Sequence, residues 1–112
     1  MTALRYLDVH DGALRPATGP LPEPGAGEVL LTVGAAGVNR ADLLQVAGHY
    51  PSPPGSPAYP GLEVAGVITA AGPGVQGWHV GERAAALLAG GGYASHAIAP
   101  VGQLLPIPSG PI

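Results

Sequence analysis

The abundance of glycine and proline sets the first limit on what this chain can fold into. The sequence has 19 glycines and 14 prolines among 112 residues, a share that in an aperiodic sequence is typical of disorder. However, 46% of the residues are hydrophobic and only 10% are charged. The chain therefore has the apolar surface needed to offset the entropy lost on ordering. This combination predicts one domain over residues 1–112, built from many short strands joined by tight turns.

Charge and cysteine usage exclude several classes of function. The four basic residues are scattered arginines and the formal net charge is -3, so nucleic acid is not expected as a partner. The absence of cysteine removes disulfides, thiol nucleophiles and thiolate metal sites. No segment approaches the roughly 18 uninterrupted apolar residues of a membrane span. We therefore expect a soluble, cytoplasmic protein without a membrane partner.

Apolar and β-branched runs between turn residues predict about seven short strands. Alanine and leucine in residues 80–88 favour helix, but glycines on both sides and the neighbouring strands favour a strand there. Gly34 and Gly37 interrupt one buried run and predict bulges or close backbone approaches. The expected fold is mainly β, a partly open barrel with one or two short helices. The main predicted strand segments are 4–9, 28–38, 62–70, 80–88, 93–99 and 103–108, and Pro16 to Gly27, which carries four prolines, is predicted to be a loop.

One short helix is predicted from Asn39 to Ala47. Asn39 is a favoured N-cap, and Asp42 follows three residues later as in a capping box. Gly48 is a typical helix-ending residue. The expected apolar stripe of this helix consists of Leu43, Leu44 and Ala47.

The polar residues around this helix are the candidate site residues. Asn39 can serve only as an N-cap, or its amide can also face a cleft and bind a ligand carbonyl or a cofactor ribose. Tyr50 can pack on the following proline-rich loop or contact a ligand. Glu63 begins an apolar strand, where a buried carboxylate needs a partner. Arg40 and Asp42 are the expected partners of Glu63.

Other chemistries have little support in the sequence. The string at 72–77 fits GxGxxG, but no amphipathic helix follows it, so a hairpin turn is the better interpretation. The four histidines show no HxH or HxxxH spacing, so no metal site is predicted. No serine has the context of a nucleophile elbow.

Several segments together carry a resemblance to a known family. They are the opening Met-x-Ala-Leu, residues 22–30, Gly37 to Leu44, Gly48 to Pro54, Gly61 to Gly66, Val80-Gly81-Glu82-Arg83 and Gly91-Gly92-Tyr93-Ala94. In order and spacing they are similar to the N-terminal GroES-like catalytic domain of the zinc-independent NADPH:quinone oxidoreductases. These enzymes form a zeta-crystallin-like branch of the medium-chain dehydrogenase/reductase superfamily.

The resemblance implies roles for the candidate residues. Family members bind NADPH in a cleft between this domain and a Rossmann domain, and pass a hydride to a quinone or an activated enone. Carried over by position, Asn39 and Tyr50 would line the cleft near the nicotinamide and act in catalysis, and Arg40 would join them in binding the cofactor. Asp42 and Glu63 would support the cleft wall.

The resemblance also bears on zinc and on the substrate pocket. Zinc-dependent members of the superfamily carry a cysteine at the position of Asn39 and a histidine at the position of Leu62, so this chain is expected to work without zinc. Where some relatives have a further tyrosine, this chain has Leu44. A tyrosine-rich quinone pocket is therefore not implied.

The resemblance covers a catalytic domain but no Rossmann domain. We expect the 112 residues alone neither to bind NADPH tightly nor to catalyse turnover. The expected partners are a quinone or enone substrate, the missing Rossmann domain and a second copy in a homo-oligomer. Two alternatives remain open: a stand-alone, non-enzymatic GroES-like module that binds another protein or itself, and the equivalent domain of an enoyl reductase.

Overall fold

A computed structural model of the protein describes residues 3–48, 54–55, 57 and 59–107. Within these residues the chain forms seven strands, one α-helix and one short 3-10 helix at Val101–Gln103. The prediction of a mainly β fold is confirmed. The elements in chain order are β1 (Leu4–His10), β2 (Ala13–Gly19), β3 (Glu28–Ala36), α1 (Arg40–Val46), β4 (Glu63–Ala71), β5 (Arg83–Leu87), β6 (His96–Pro100) and β7 (Leu104–Pro106).

The strands form two antiparallel sheets. Strands β1 and β2 make a hairpin, and the other five pair in the order β6-β3-β4-β5-β7. The larger sheet curls into a half-barrel, as expected for a partly open barrel. The Asp11-Gly12 turn of the hairpin has positive φ at both residues, which suits the right-handed twist of paired strands.

Alternate residues of the curled sheet point inward and form the core. The strand predicted within residues 80–88 is confirmed as β5, where Ala84 and Ala86 are buried. Pairing with β4 on one side and β7 on the other overrides the helix propensity of its alanines. The buried core cluster consists of Val29, Leu31, Val64, Ile68, Ala84, Ala86, Ala97, Ala99 and Leu104.

Glycines permit the tight approach of β3 to β4. The pairing register shifts between Val33 and Ala35, so the bulge predicted at Gly34 is confirmed. A Cβ atom on Gly37 would collide with the Glu63 side chain, which confirms the predicted close approach. On β4, a Cβ atom on Gly66 would collide with the carbonyl oxygen of Thr32.

Several predicted boundaries are wrong, and strand pairing explains two of them. The loop expected from Pro16 begins later, because β2 continues to Gly19. As the outer strand of its hairpin, β2 tolerates a proline. The strand expected from residue 93 begins only at His96, because Tyr93 and the following alanine pair with β1 instead: the N–H of Leu7 donates to the Tyr93 carbonyl at 2.9 Å. In the described part of the chain, no helix is long and apolar enough to span a bilayer.

We expect Gly66→Ala to lower the free energy of unfolding by about 1–3 kcal/mol, because the added methyl must displace the β3 backbone. Gly102→Ala is the matched control, because a Cβ atom there has no neighbour within 4 Å. Its effect should stay within about 0.5 kcal/mol. Urea unfolding followed by circular dichroism measures both, and equal stabilities of the two variants would contradict the packing described for β3 and β4.

Candidate functional site

Asn39 and Asp42 define the start of helix α1. Asn39 is the N-cap residue, with the extended backbone angles φ -123° and ψ 160°. The backbone N–H of Asn39 donates to Oδ2 of Asp42 at 2.9 Å, and in return the Asn39 side chain faces the backbone N–H of Asp42, which donates to the Asn39 carbonyl at 3.0 Å. The predicted capping box is therefore confirmed. The helix ends before Gly48, whose φ of 85° suits a glycine at this position.

The Asp42 carboxylate is buried and, within the part of the chain that the structure describes, has three hydrogen-bond donors. Asp42 is only 1% exposed to solvent. Oδ2 accepts from the Asn39 N–H and from the Tyr93 hydroxyl, both at 2.9 Å. Oδ1 accepts from the N–H of Gly61 at 3.2 Å. A buried carboxylate is costly unless it is hydrogen-bonded in this way, so Asp42 holds α1 against the loops that carry Gly61 and Tyr93.

The apolar stripe predicted for α1 is wrong. The helix buries Asp42 and Gln45, whereas Leu43 is 63% exposed and Ala47 is also exposed. The reason is that α1 packs against hydrogen-bond donors, including a backbone N–H and a tyrosine hydroxyl, rather than against an apolar surface. Its buried face is therefore polar, and the pattern of leucines does not reveal it.

The loops that carry Gly61 and Tyr93 are joined along their backbones. The N–H of Tyr93 donates to the carbonyl of Pro60, and the N–H of Gly92 to the carbonyl of Gly61, both at 3.0 Å. Gly61 has a φ of 115°, and a Cβ atom on it would lie 2.5 Å from the Cα of Gly92. Only glycine fits such a conformation and such a contact. This pairing fixes the ring of Tyr93 beside Asp42.

Burial, the hydrogen bond to Asp42 and the negative charge of that carboxylate together raise the pKa of the Tyr93 hydroxyl to about 12, with burial as the largest cause. All three effects disfavour the tyrosinate anion. Tyr93 is therefore a neutral donor to Asp42 at every ordinary pH.

The structure brings together some predicted site residues and separates others. Glu63 is exposed, and among the described residues it forms no ion pair with Arg40 and no side-chain hydrogen bond with Asp42, so the predicted pairing is wrong. The three donors of Asp42 come from elsewhere, and Glu63 approaches this region through its backbone carbonyl, which accepts from the N–H of Gly37 at 3.1 Å. Tyr50 lies outside the described residues, so its predicted role stays a prediction.

Asn39 and Arg40 can both contact a ligand from this position. The oxygen of the Asn39 side chain faces the N–H of Asp42 in the capping box, so its NH2 group keeps two donors for a ligand oxygen. Arg40 is exposed at the next residue, where its guanidinium can bind a phosphate or carboxylate. The N-cap role of Asn39 and a ligand-binding role are therefore compatible. Within the described residues, no three histidine, aspartate or glutamate side chains converge on a possible metal site.

Tyr93 is the residue that the sequence reasoning missed. It was noted only as part of a glycine-rich segment, 51 residues away from Asp42. One signal could have identified it. A helix that buries an aspartate needs donors from outside the helix, and a tyrosine held by consecutive glycines is a suitable source.

We expect Asp42→Asn to lower the free energy of unfolding by roughly 1–3 kcal/mol, because the amide replaces an acceptor oxygen with an NH2 group that faces donors. Asp11→Asn makes the same chemical change on a side chain that is 89% exposed. Asparagine tolerates the positive φ of that position, so its effect should stay within about 0.5 kcal/mol. Chemical unfolding measures both, and a stable Asp42→Asn variant would contradict the role given to the carboxylate.

The raised pKa of Tyr93 predicts a pH dependence of stability. Its ordinary pKa is 10.0 and its folded pKa is about 12. The stabilising contribution is therefore complete below pH 10 and is lost as the pH rises from 10 to about 12. Over this pH range, we expect the free energy of unfolding to fall less in Tyr93→Phe than in the parent chain. Urea unfolding on either side of the window measures this, and identical losses in the two proteins would contradict the assignment.

Comparison with known proteins gives the relatives of this chain. Residues 25–109 match the alcohol dehydrogenase GroES-like domain family. The mouse synaptic vesicle membrane protein VAT-1 homolog-like is 35% identical over 95 residues, which are 85% of this chain and 23% of that protein. Rat quinone oxidoreductase is 35% identical over 89 residues, which are 79% of this chain and 27% of that protein. The chain thus spans about a quarter of the length of these curated relatives.

Solved structures agree with the sequence match. The human synaptic vesicle membrane protein VAT-1 homolog-like superimposes with a TM-score of 0.86 at 31% identity, over 96% of this chain and 36% of that one. A mycobacterial protein solved in complex with NADPH superimposes with a TM-score of 0.79 at 34% identity, over 94% of this chain and 34% of that one. The chain therefore belongs to the alcohol dehydrogenase GroES-like domain family of the medium-chain dehydrogenase/reductase superfamily.

Proposed function

We propose that this chain is the catalytic domain of an NADPH-dependent, zinc-independent quinone reductase. The observation that carries the proposal is the placement of Asn39 at the start of α1, with its oxygen used in the capping box and its NH2 group free to donate. Zinc-dependent members of the superfamily carry a cysteine ligand at this position. An amide cannot replace a thiolate on zinc, but it can hydrogen-bond a carbonyl oxygen.

The residues at the start of α1 suit an anionic dinucleotide and a carbonyl substrate. When bound, NADPH supplies the hydride that reduces the quinone or activated enone. The Asn39 amide donates to a carbonyl oxygen at the reacting end, and the Arg40 guanidinium binds a phosphate of the cofactor. Tyr50 is proposed to complete this wall. The similarity to a quinone oxidoreductase and to a protein solved with NADPH supports the assignment.

A second domain is part of the proposal. The described residues contain no strand, glycine-rich turn and helix arranged as in a dinucleotide-binding unit, so this chain forms only one wall of the cleft. Val38 and Leu43 lie beside the helix start and are 72% and 63% exposed. We propose that a Rossmann domain covers this apolar surface, in a cytoplasmic enzyme that forms homo-oligomers.

One observation favours a second function. The exposed apolar side chains Leu7, Leu14, Val38 and Leu43 border one groove of about 490 Å³ between the β1–β2 hairpin and α1. An exposed patch of this kind is typical of association surfaces. A non-enzymatic module that binds itself or another protein through this groove is the alternative to the reductase.

Turnover separates these functions, and Asn39→Asp tests the proposed site. The assay follows NADPH oxidation with 1,2-naphthoquinone and with an enoyl thioester, using the longer protein in which, under this proposal, a cofactor domain accompanies this one. Asn39→Asp keeps a favoured N-cap but removes both amide donors. We expect kcat/KM with the quinone to fall about 100-fold, as when a preorganised donor is removed, while the melting temperature stays unchanged.

Gln76→Ala is the matched control, because it removes a side-chain amide from an exposed loop and should leave turnover unchanged. Full activity of Asn39→Asp would contradict the role of the amide. A preference for the enoyl thioester would indicate an enoyl reductase. No NADPH oxidation with either substrate would exclude both reductases and favour the binding module.

A further inference from the structure

Tyr93 is the donor to Asp42 whose position depends least on helix α1. Its backbone N–H donates to Pro60 at 3.0 Å, and its carbonyl accepts from the N–H of Leu7 at 2.9 Å. The residue is therefore held on one side by β1 and on the other by the segment before β4. A tyrosine side chain has only two main torsions, so a backbone fixed in this way leaves the hydroxyl few positions, and the hydrogen bond to Asp42 selects one of them.

The Tyr93 hydroxyl contacts helix α1 through one oxygen atom of Asp42. Oδ2 of Asp42 accepts from Tyr93 and from the backbone N–H of Asn39, each at 2.9 Å. The oxygen thus links a fixed point of the sheet directly to the N-cap residue. Among the described residues, the partner of the other oxygen, Oδ1, is Gly61, at a longer 3.2 Å. Of the two contacts that tie the carboxylate to the loops, the Tyr93 hydrogen bond is the shorter and involves the oxygen that holds Asn39.

Helix α1 cannot hold this geometry alone. It has seven residues, fewer than the roughly 12–15 that make even a favourable isolated helix marginally stable in water. Its first turn therefore depends on contacts from outside. Because Asn39 and Asp42 are joined by the Asn39 N–H bond to Oδ2 and face each other in the capping box, a movement of Asp42 changes where the Asn39 amide points.

We propose that Tyr93 is a positioning residue, whose hydroxyl acts through Asp42 to set the orientation of the Asn39 amide at the start of α1. The consequence for catalysis rests on the proposed function: the hydroxyl contacts neither substrate nor cofactor, and it places the group that does. In Tyr93→Phe, Oδ2 keeps only the Asn39 N–H. The carboxylate can then rotate, and the Asn39 amide loses its single orientation.

The orientation can be observed without any activity. Asn39 is the only asparagine in the sequence, so labelling the 112-residue chain with 15N-asparagine gives one backbone N–H signal and one side-chain NH2 pair. We expect Tyr93→Phe to shift and broaden the NH2 pair. The control is Tyr6→Phe: Tyr6 stacks on Tyr59 with ring centroids 4.5 Å apart, and within the described residues its hydroxyl has no hydrogen-bond partner. It should leave the pair unchanged.

A double-mutant cycle in the longer reductase tests the consequence for turnover. Tyr93→Phe should lower kcat on the order of tenfold, because small misplacements of an orienting group are costly. In the Asn39→Asp background the same change should have almost no effect, because the positioned amide is already absent. A purely structural role would lower stability equally in both backgrounds and would not show this dependence.

The outcomes separate this inference from the proposed function. An unchanged NH2 pair in Tyr93→Phe, or an equal loss of kcat in both backgrounds, overturns the positioning role. If the longer protein oxidises no NADPH, the proposed reductase fails, and the NH2 signals of the 112-residue chain still decide whether Tyr93 orients Asn39.

Discussion

The buried carboxylate of Asp42 is the interaction on which the rest of the site depends. It is 1% exposed and binds donors from the helix start, from Gly61 and from Tyr93. Without these donors the carboxylate could not be buried, and without the carboxylate a seven-residue helix would have little to hold it against the loops. The close contact of Gly61 with Gly92 follows from the same constraint, because it brings the donors within reach of one side chain.

Much of the fold could be predicted from the sequence because local rules and tertiary packing agree there. The capping pair, Gly48 and the bulge at Gly34 all follow from backbone sterics that act within a few residues. Strand β5 could also be predicted, because the neighbouring strands outweigh the helix propensity of its alanines. Predicted strand boundaries were wrong where a residue pairs with a strand that is distant in the sequence. Tyr93, for example, pairs with β1 rather than with β3.

Only part of the candidate site could be predicted, because some of its contacts join residues that are far apart in the sequence. Asn39 and Asp42 were identified because their capping roles depend on a spacing of three residues. Glu63 was assigned a partner that it does not have, and Tyr93 was missed, because contacts across about 50 residues leave no periodic signal. The polar face of α1 was hidden for the same reason, since its leucines suggested an apolar stripe although Leu43 is exposed.

A crystal structure of the longer protein with NADPH and a quinone analogue would show whether Asp42 holds the Asn39 amide where it meets the nicotinamide cofactor or its substrate. We expect the Asn39 NH2 group within about 3.2 Å of a cofactor or substrate oxygen, with Asp42 still bound to Gly61 and Tyr93. An Asn39 amide turned away from both molecules, or a cofactor bound on another face of the domain, would contradict this expectation.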